Sequence, residues 1–395
     1  MKRPPFETIA LVLQGGGALG AYQAGVFEGL AEAKIEPDWV AGISIGAING
    51  ALIAGNAPAD RVARLTEFWA TVTAPPLLPA TIPWWAAATD QGGAAARMAL
   101  GWFAASRALV EGQRGFFVPR VPSPAFAVSA PLGTLSYYDT RPLKATLERL
   151  VDFDRLNDAR SPRFTVSAVD VESGNYDLFD SRRGRWAGRI GPEHVMASGA
   201  LPPGFAAVEI EGRHYWDGGL VSNTPLATVL DDEPRRDTLA FQVDLWSAQG
   251  PAPRSLLDVE ERGKDIRYSS RTRAVTDQFE REQRLRRVLR EVLARVPASA
   301  RHDAWCREAQ ALASDKRFSV VHLIYRDKPW DGHHKDYEFS ASSMRDHWAS
   351  GLADIRQSLA EPGCLALPPT GQSSATHDVH RGADRMAPNR RSDTS

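Results

Sequence analysis

Five consecutive apolar residues, IALVL at 9–13, run into three glycines, and an alanine-rich stretch follows at 18–33. A short apolar run bounded by glycines predicts a strand buried on both faces, and the stretch after it predicts a helix. The same unit recurs at once, with DWVAGI at 38–43 as strand and 45–54 as helix. FTVSAVDV (164–171), YDLFD (176–180), AVEIEG (207–212) and LAFQVDLW (239–246) read as later strands. Strands alternating this tightly with helices imply an α/β fold whose mostly parallel sheet is covered on both faces.

Two regions break the pattern. Residues 74–125 are rich in proline and in aromatics, among them Trp84, Trp85, Trp102, Phe103, Phe116 and Phe117. One account is a helical insertion packed on the core. The other is an apolar lid or interfacial patch over a lipid-binding cleft. From about 250 the texture changes again. FEREQRLRRVLREVLARV (279–296) is strongly basic, with Leu285, Val288, Leu289, Val292 and Val296 at helical spacing. Its arginines suit either a solvated helix face or acidic lipid heads. RFSVVHLIYR (317–326) reads as a strand able to extend the sheet, and 340–359 as a closing helix. Beyond 366 apolar residues almost vanish, which predicts a disordered tail over 366–395.

Composition narrows the setting without naming a function. A net charge of -1 gives no global attraction to nucleic acid. Two cysteines, Cys306 and Cys364, cannot build a disulfide scaffold, so nothing points to an oxidising compartment. The Met-Lys-Arg start before IALVL is interrupted by Pro4 and Pro5, and the run ends in Gln14, unlike a secretory leader. The expectation is a cytoplasmic protein, with peripheral contact at the inner membrane surface left open. Its oligomeric state is not legible. No His, Cys or carboxylate grouping has the spacing of a metal site, and no cofactor is expected.

The chemistry concentrates in three places. Gly15, Gly17 and Gly20 fit the G-x-G-x-x-G fingerprint of dinucleotide-binding folds, in the right strand–turn–helix setting. Gly42, Ser44 and Gly46 form G-x-S-x-G between an apolar strand and a helix. That spacing exposes a nucleophile, because small neighbours let the backbone turn sharply. It equally suits an ordinary N-cap serine. Asp217, followed by Gly218 and Gly219, can come close to another loop, or be a plain turn aspartate.

Taken in order, these three motifs and the segment ASGALPPGF (197–205) resemble the patatin-like phospholipase family over residues 7–246. Residues 250–362 look like an extension found in a bacterial branch of that family. The resemblance implies a three-layer α/β/α fold with a mainly helical C-terminal extension. It also implies a serine acyl-ester hydrolase acting on fatty acyl esters of lipids or phospholipids. Ser44 matches the nucleophile and Asp217 its proton-accepting partner. The loop at 15–20 matches the oxyanion hole, with the amides of Gly16, Gly17 and Ala18 as donors. Leu19 departs from the family, which often carries Arg or Lys there.

Three alternatives compete with this reading. A Ser–His–Asp triad would need a histidine such as His322, His333, His334 or His347, and none has a context that marks it as a base. His194 and His214 read as surface or supporting residues. A nucleotide-dependent oxidoreductase would need an acid at the end of the second strand, where Ser44 stands instead. A catalytically silent lipid-binding or scaffolding protein would retain the fold without turnover.

Overall fold

The computed structural model describes residues 3–73, 93–122, 124, 129–270 and 272–378. Trp84 and Trp85, and positions 379–395 of the expected tail, lie outside the described residues. The first half contains β1 (Thr8–Leu13), a 3-10 turn (Gly17–Gly20), α1 (Ala21–Glu32), β2 (Trp39–Gly42), α2 (Ile45–Ala54) and α3 (Arg61–Val72). Then come α4 (Ala94–Glu111), β3 (Val118–Pro119), β4 (Tyr138–Asp139), α5 (Arg141–Leu150) and α6 (Phe153–Asn157). β5 (Arg163–Asp170), β6 (Tyr176–Asp180), α7 (Pro192–Ser198), β7 (Val208–Ile210), β8 (Arg213–Asp217), α8 (Leu226–Leu230) and β9 (Thr238–Asp244) follow. The chain continues through α9 (Leu256–Tyr268), α10 (Thr272–Ala294), α11 (Ala304–Leu312), β10 (Phe318–Ile324), α12 (Ala341–Ala360) and β11 (Ser374–His377).

One mixed sheet organises the molecule, in the order β11-β10-β9-β1-β2-β5-β8-β7, with β6 also on β5. Every pairing from β11 across to β5 is parallel, while β6, β7 and β8 join antiparallel. Alternation along β1 shows why the run is apolar throughout. Ile9, Leu11 and Leu13 face one core with α1 and α2, and Ala10 and Val12 face another with Leu226 and Phe279. Both faces of the strand are thus withdrawn from water, as in a parallel sheet covered by helices.

The region after 250 is woven into this sheet. β10 pairs with β9 along its whole length, from Phe318↔Thr238 to Ile324↔Asp244. α12 lies across α1 so closely that a Cβ on Gly25 would meet the Trp348 carbonyl oxygen at 1.9 Å, and one on Gly351 the Tyr22 carbonyl oxygen at 2.0 Å. The Tyr22 hydroxyl donates to Asp354 at 2.7 Å across the same contact. α10, by contrast, leaves its apolar stripe open, with Leu285, Val288 and Val292 exposed.

One expectation needs correction. The chain after 366 is ordered to 378, and Ser374–His377 pairs in parallel with β10. The reason is the sheet edge: unpaired N–H and C=O groups on β10 accept a partner strand whatever its side chains. In the region 74–125, α4 is helical, and Phe116 and Phe117 are buried in the core while Trp102 and Phe103 are exposed.

Candidate functional site

Ser44 stands between β2 and α2 with φ 56° and ψ -123°, a conformation costly for a residue with a Cβ. The flanking glycines make the turn sterically feasible. A Cβ on Gly42 would lie 2.3 Å from the Gly46 carbonyl oxygen, and one on Gly46 would lie 2.4 Å from that of Leu13. The Ser44 carbonyl accepts from Ala47 and Ile48 and so starts α2, while its amide donates to the Ser198 hydroxyl at 3.0 Å. Ser44 therefore sits at the positive end of a ten-residue helix.

Strand register brings Asp217 to the same place. On β5, Val166 lies opposite Gly42 of β2, and Ala168 lies opposite Asp217 of β8. Ser44 follows Gly42 by two residues, just beyond the end of β2, so serine and aspartate reach β5 from opposite chain directions. The Gly219 amide donates to Asp217 Oδ1 at 2.7 Å, and the Ser44 side chain lies near enough to the carboxylate to favour its charged form. Asp217 is 3% exposed, and its burial pushes the carboxyl up to about 7 despite both neighbours.

The glycine loop is fixed from behind. Gln14 accepts from the amides of Leu245 and Trp246, and its Nε2 donates to Thr224 Oγ1 at 2.9 Å. The Gly15 carbonyl accepts from Trp246 Nε1 at 2.9 Å and from Asn223 Nδ2 at 3.1 Å. Gly15 lies against Ser44: a Cβ there would come within 3.1 Å of the Ser44 Cβ. Among the described residues the amides of Gly16 and Gly17 have no acceptor. The Ala18 amide does have one, the Asp336 carbonyl at 2.8 Å, so the expectation of three free donors is corrected to two. The cause is steric as well as polar, since Gly17 has φ +56° and a Cβ there would lie 2.0 Å from the same Asp336 oxygen. Leu19 is wholly buried in the core, so its side chain faces away from the solvent side of the loop.

Among the described residues no histidine joins Ser44. His322 pairs with Asp244 at 2.6 Å between β10 and β9. His347 is buried in α12, edge-on to Tyr325, and desolvation pushes it down to about 4. His333 and His334 pack against Trp102. His194 packs on Phe179 and Trp186, its ring accepting from Gly191, and burial lowers its pKa. His214 lies on β8 facing Glu209 of β7. Among the described residues no group of three or more His, Cys, Asp or Glu could hold a metal ion. Nor is any helix there long and apolar enough to cross a membrane.

Sequence reasoning missed four supporting residues. Ser198 was visible in ASGALPPGF, though not its bond to Ser44. Asn223 and Gln14 carried a weaker signal, as single polar residues flanking glycine-rich turns. Asp336 carried none, because its contact depends on a segment far along the chain.

Fold and site together define a class: an α/β/α protein whose central sheet presents a serine–carboxylate pair beside a glycine loop. Within that class, residues 11–230 match the profile described as patatin-like phospholipase, and residues 266–371 one described as patatin phospholipase. The chain belongs to the patatin-like phospholipase family, and this membership suggests a lipid acyl hydrolase. Patatin-like phospholipase domain-containing protein 6 of Mus musculus is 44% identical over 80 residues, covering 20% of this chain and 6% of the relative. Lysophospholipase nte1 of Aspergillus terreus is 54% identical over 51 residues, covering 13% of this chain and 3% of the relative. The matched stretches are therefore small parts of much longer proteins. Among solved structures, VipD from Legionella pneumophila aligns over 89% of this chain and 66% of its own, at 13% identity and a TM-score of 0.36.

Proposed function

We propose that the protein hydrolyses fatty acyl esters of lipids or phospholipids through an acyl-enzyme on Ser44, with Asp217 as proton carrier. One observation carries the reading: Ser44, on the strained turn between β2 and α2, stands near the buried Asp217 carboxylate, whose pKa burial pushes up to about 7. A base poised near neutrality combines adequate ionisation with a real driving force for taking a proton. Ser44 Oγ attacks the acyl carbonyl carbon as its proton passes to Asp217. The tetrahedral oxyanion accepts from Gly16 and Gly17 at the amino end of α2, a contribution of about 3 kcal/mol per donor in comparable sites. Asp217 returns the proton to the departing alcohol oxygen, leaving the acyl-enzyme. Water then attacks, its proton goes to Asp217, and collapse of the second intermediate releases the fatty acid and restores the Ser44 hydroxyl.

Leu220 and Val221, exposed just beyond Asp217, give the site an apolar rim suited to a lipid surface. The name of the Aspergillus relative makes a lysophospholipid the first substrate to try. The test is a fluorophosphonate probe together with a panel of lysophospholipid, diacyl phospholipid and p-nitrophenyl esters. Wild type is labelled and turns over at least one ester class, and Ser44→Ala loses both. Labelling that persists in Ser44→Ala, or an Asp217→Ala variant as fast as wild type, overturns the assignment.

A further inference from the structure

The end of the sheet remote from Ser44 holds a second cavity, of about 560 Å³. Its walls are the amino-terminal ends of β1, β2 and β5 at Thr8, Trp39 and Arg163, with the chain that leads into β9. Six arginines line it, at 61, 160, 163, 182, 183 and 236, against three carboxylates.

The carboxylates are already committed. Glu36 pairs with Arg61, and Asp232 pairs with Arg163 at 3.0 Å and Arg183 at 2.7 Å. Asp38 accepts from the Ile9 amide at 2.7 Å and from Arg3. Two guanidiniums have no close ion pair, although Asp158 and Asp180 act on Arg182 from a distance and Arg236 acts on Glu7. Arg182 donates only to the Ser161 carbonyl, and the Arg236 side chain has no hydrogen bond or ion pair among the described residues. Arg160 is held by both oxygens of the half-buried Asp158, and Arg183 shares Asp232 with Arg163; with side chains 90% and 42% exposed, both have room to swing inward. A concave wall in which one sign predominates concentrates its field on the space it encloses. Guanidinium forks match phosphate oxygens in geometry as well as charge. The ring of Trp39 offers no stacking face, because the Arg163 guanidinium covers it at 3.7 Å. Recognition here is therefore of phosphate rather than of an aromatic base.

We propose that this cavity is a second binding site that takes a phosphate-bearing ligand of nucleotide size, held by Arg182 and Arg236 with Arg160 and Arg183 closing on it. The phosphate comes either from a soluble small molecule or from a phosphorylated lipid headgroup, and the experiment separates the two. The full chain is titrated calorimetrically with pyrophosphate and with ATP. It is also floated with phosphatidylcholine vesicles, with and without a phosphoinositide bisphosphate. Saturable binding of pyrophosphate or ATP that weakens at least ~tenfold in Arg182→Gln/Arg236→Ala, and again as KCl is raised, supports the site with a soluble ligand. Flotation that needs the phosphoinositide and is lost in the same variant supports it with a lipid headgroup. Arg236→Ala alone, at an exposed and unpaired position, gives a second variant that keeps the fold, checked by its thermal melt and retained p-nitrophenyl esterase rate. No binding of any probe, or binding indifferent to both variants, overturns the proposal.

Discussion

After residue 250 the chain builds two kinds of structure. β10 and one face of α12 are embedded in the body built by the first half. β10 continues the sheet beyond β9, and α12 meets α1 backbone to backbone at Gly25 and Gly351. Elsewhere in the same stretch, α9, α10 and α11 leave Leu256, Leu257, Leu285, Val292 and Trp305 in water. The difference teaches that distance along the chain does not separate core from appendage. What decides is whether a segment finds a vacant sheet edge or an uncovered helix face. The extension is thus half scaffold and half surface, and its scaffold half reaches the glycine loop through the Asp336 carbonyl.

The largest effect is expected at the helix crossing. Gly351→Val drives side-chain atoms into the Tyr22 carbonyl and should destabilise the protein by about 3 kcal/mol or more in urea unfolding. A loss below about 1 kcal/mol would place α12 with the surface half. Asp217→Asn sharpens the contrast between packing and chemistry. It should lower kcat by about a thousandfold or more while stabilising the fold above neutral pH. The sign follows from a native pKa of about 7 against an unfolded value near ~3.9. The native state holds the proton more tightly, so wild-type stability falls as pH rises from about 4 to about 7. By that shift the Asn gain should reach about 4 kcal/mol at pH 8 and vanish near pH 4, read from urea melts at each pH. Wild-type kcat/KM should rise with pH through an apparent pKa of about 7.

Smaller effects are expected where the two halves touch more lightly. Lys264 donates to the His333 carbonyl at 2.9 Å and pairs with the Asp336 carboxylate. Lys264→Ala should speed amide exchange at Ala18 and lower kcat about threefold, with a stability change within about 1 kcal/mol. Unchanged exchange there would detach the extension from the loop. Leu285→Ser on α10 should shift stability by no more than about 0.5 kcal/mol, since the residue is 68% exposed.

Legibility in the sequence follows the same division between local and distant causes. β1, β2, β5, β6 and β9 could be read because burial imposes apolar or alternating runs. β8, RHYWD, and the short β3, β4 and β11 could not, for their partners rather than their composition make them strands. Ser44 was legible because the turn's steric needs lie within five residues. Asp217 was picked out only with the help of a family resemblance, since its approach to Ser44 depends on the β2–β5–β8 register. The loss of the Ala18 amide depends on position 336 and has no local trace.

The crossing of α1 and α12 also sets a timetable. Tyr22 and its partner Asp354 are 332 positions apart, so the face of α1 that α12 covers is made long before its cover. At ribosomal speeds that interval lasts about 20–60 s. Throughout it the nascent chain carries an uncovered helix, and from the synthesis of β9 until that of β10 it also carries an unpaired strand edge. Final closure is therefore a late event, and the growing chain is a natural client for chaperones until residue 360 has emerged.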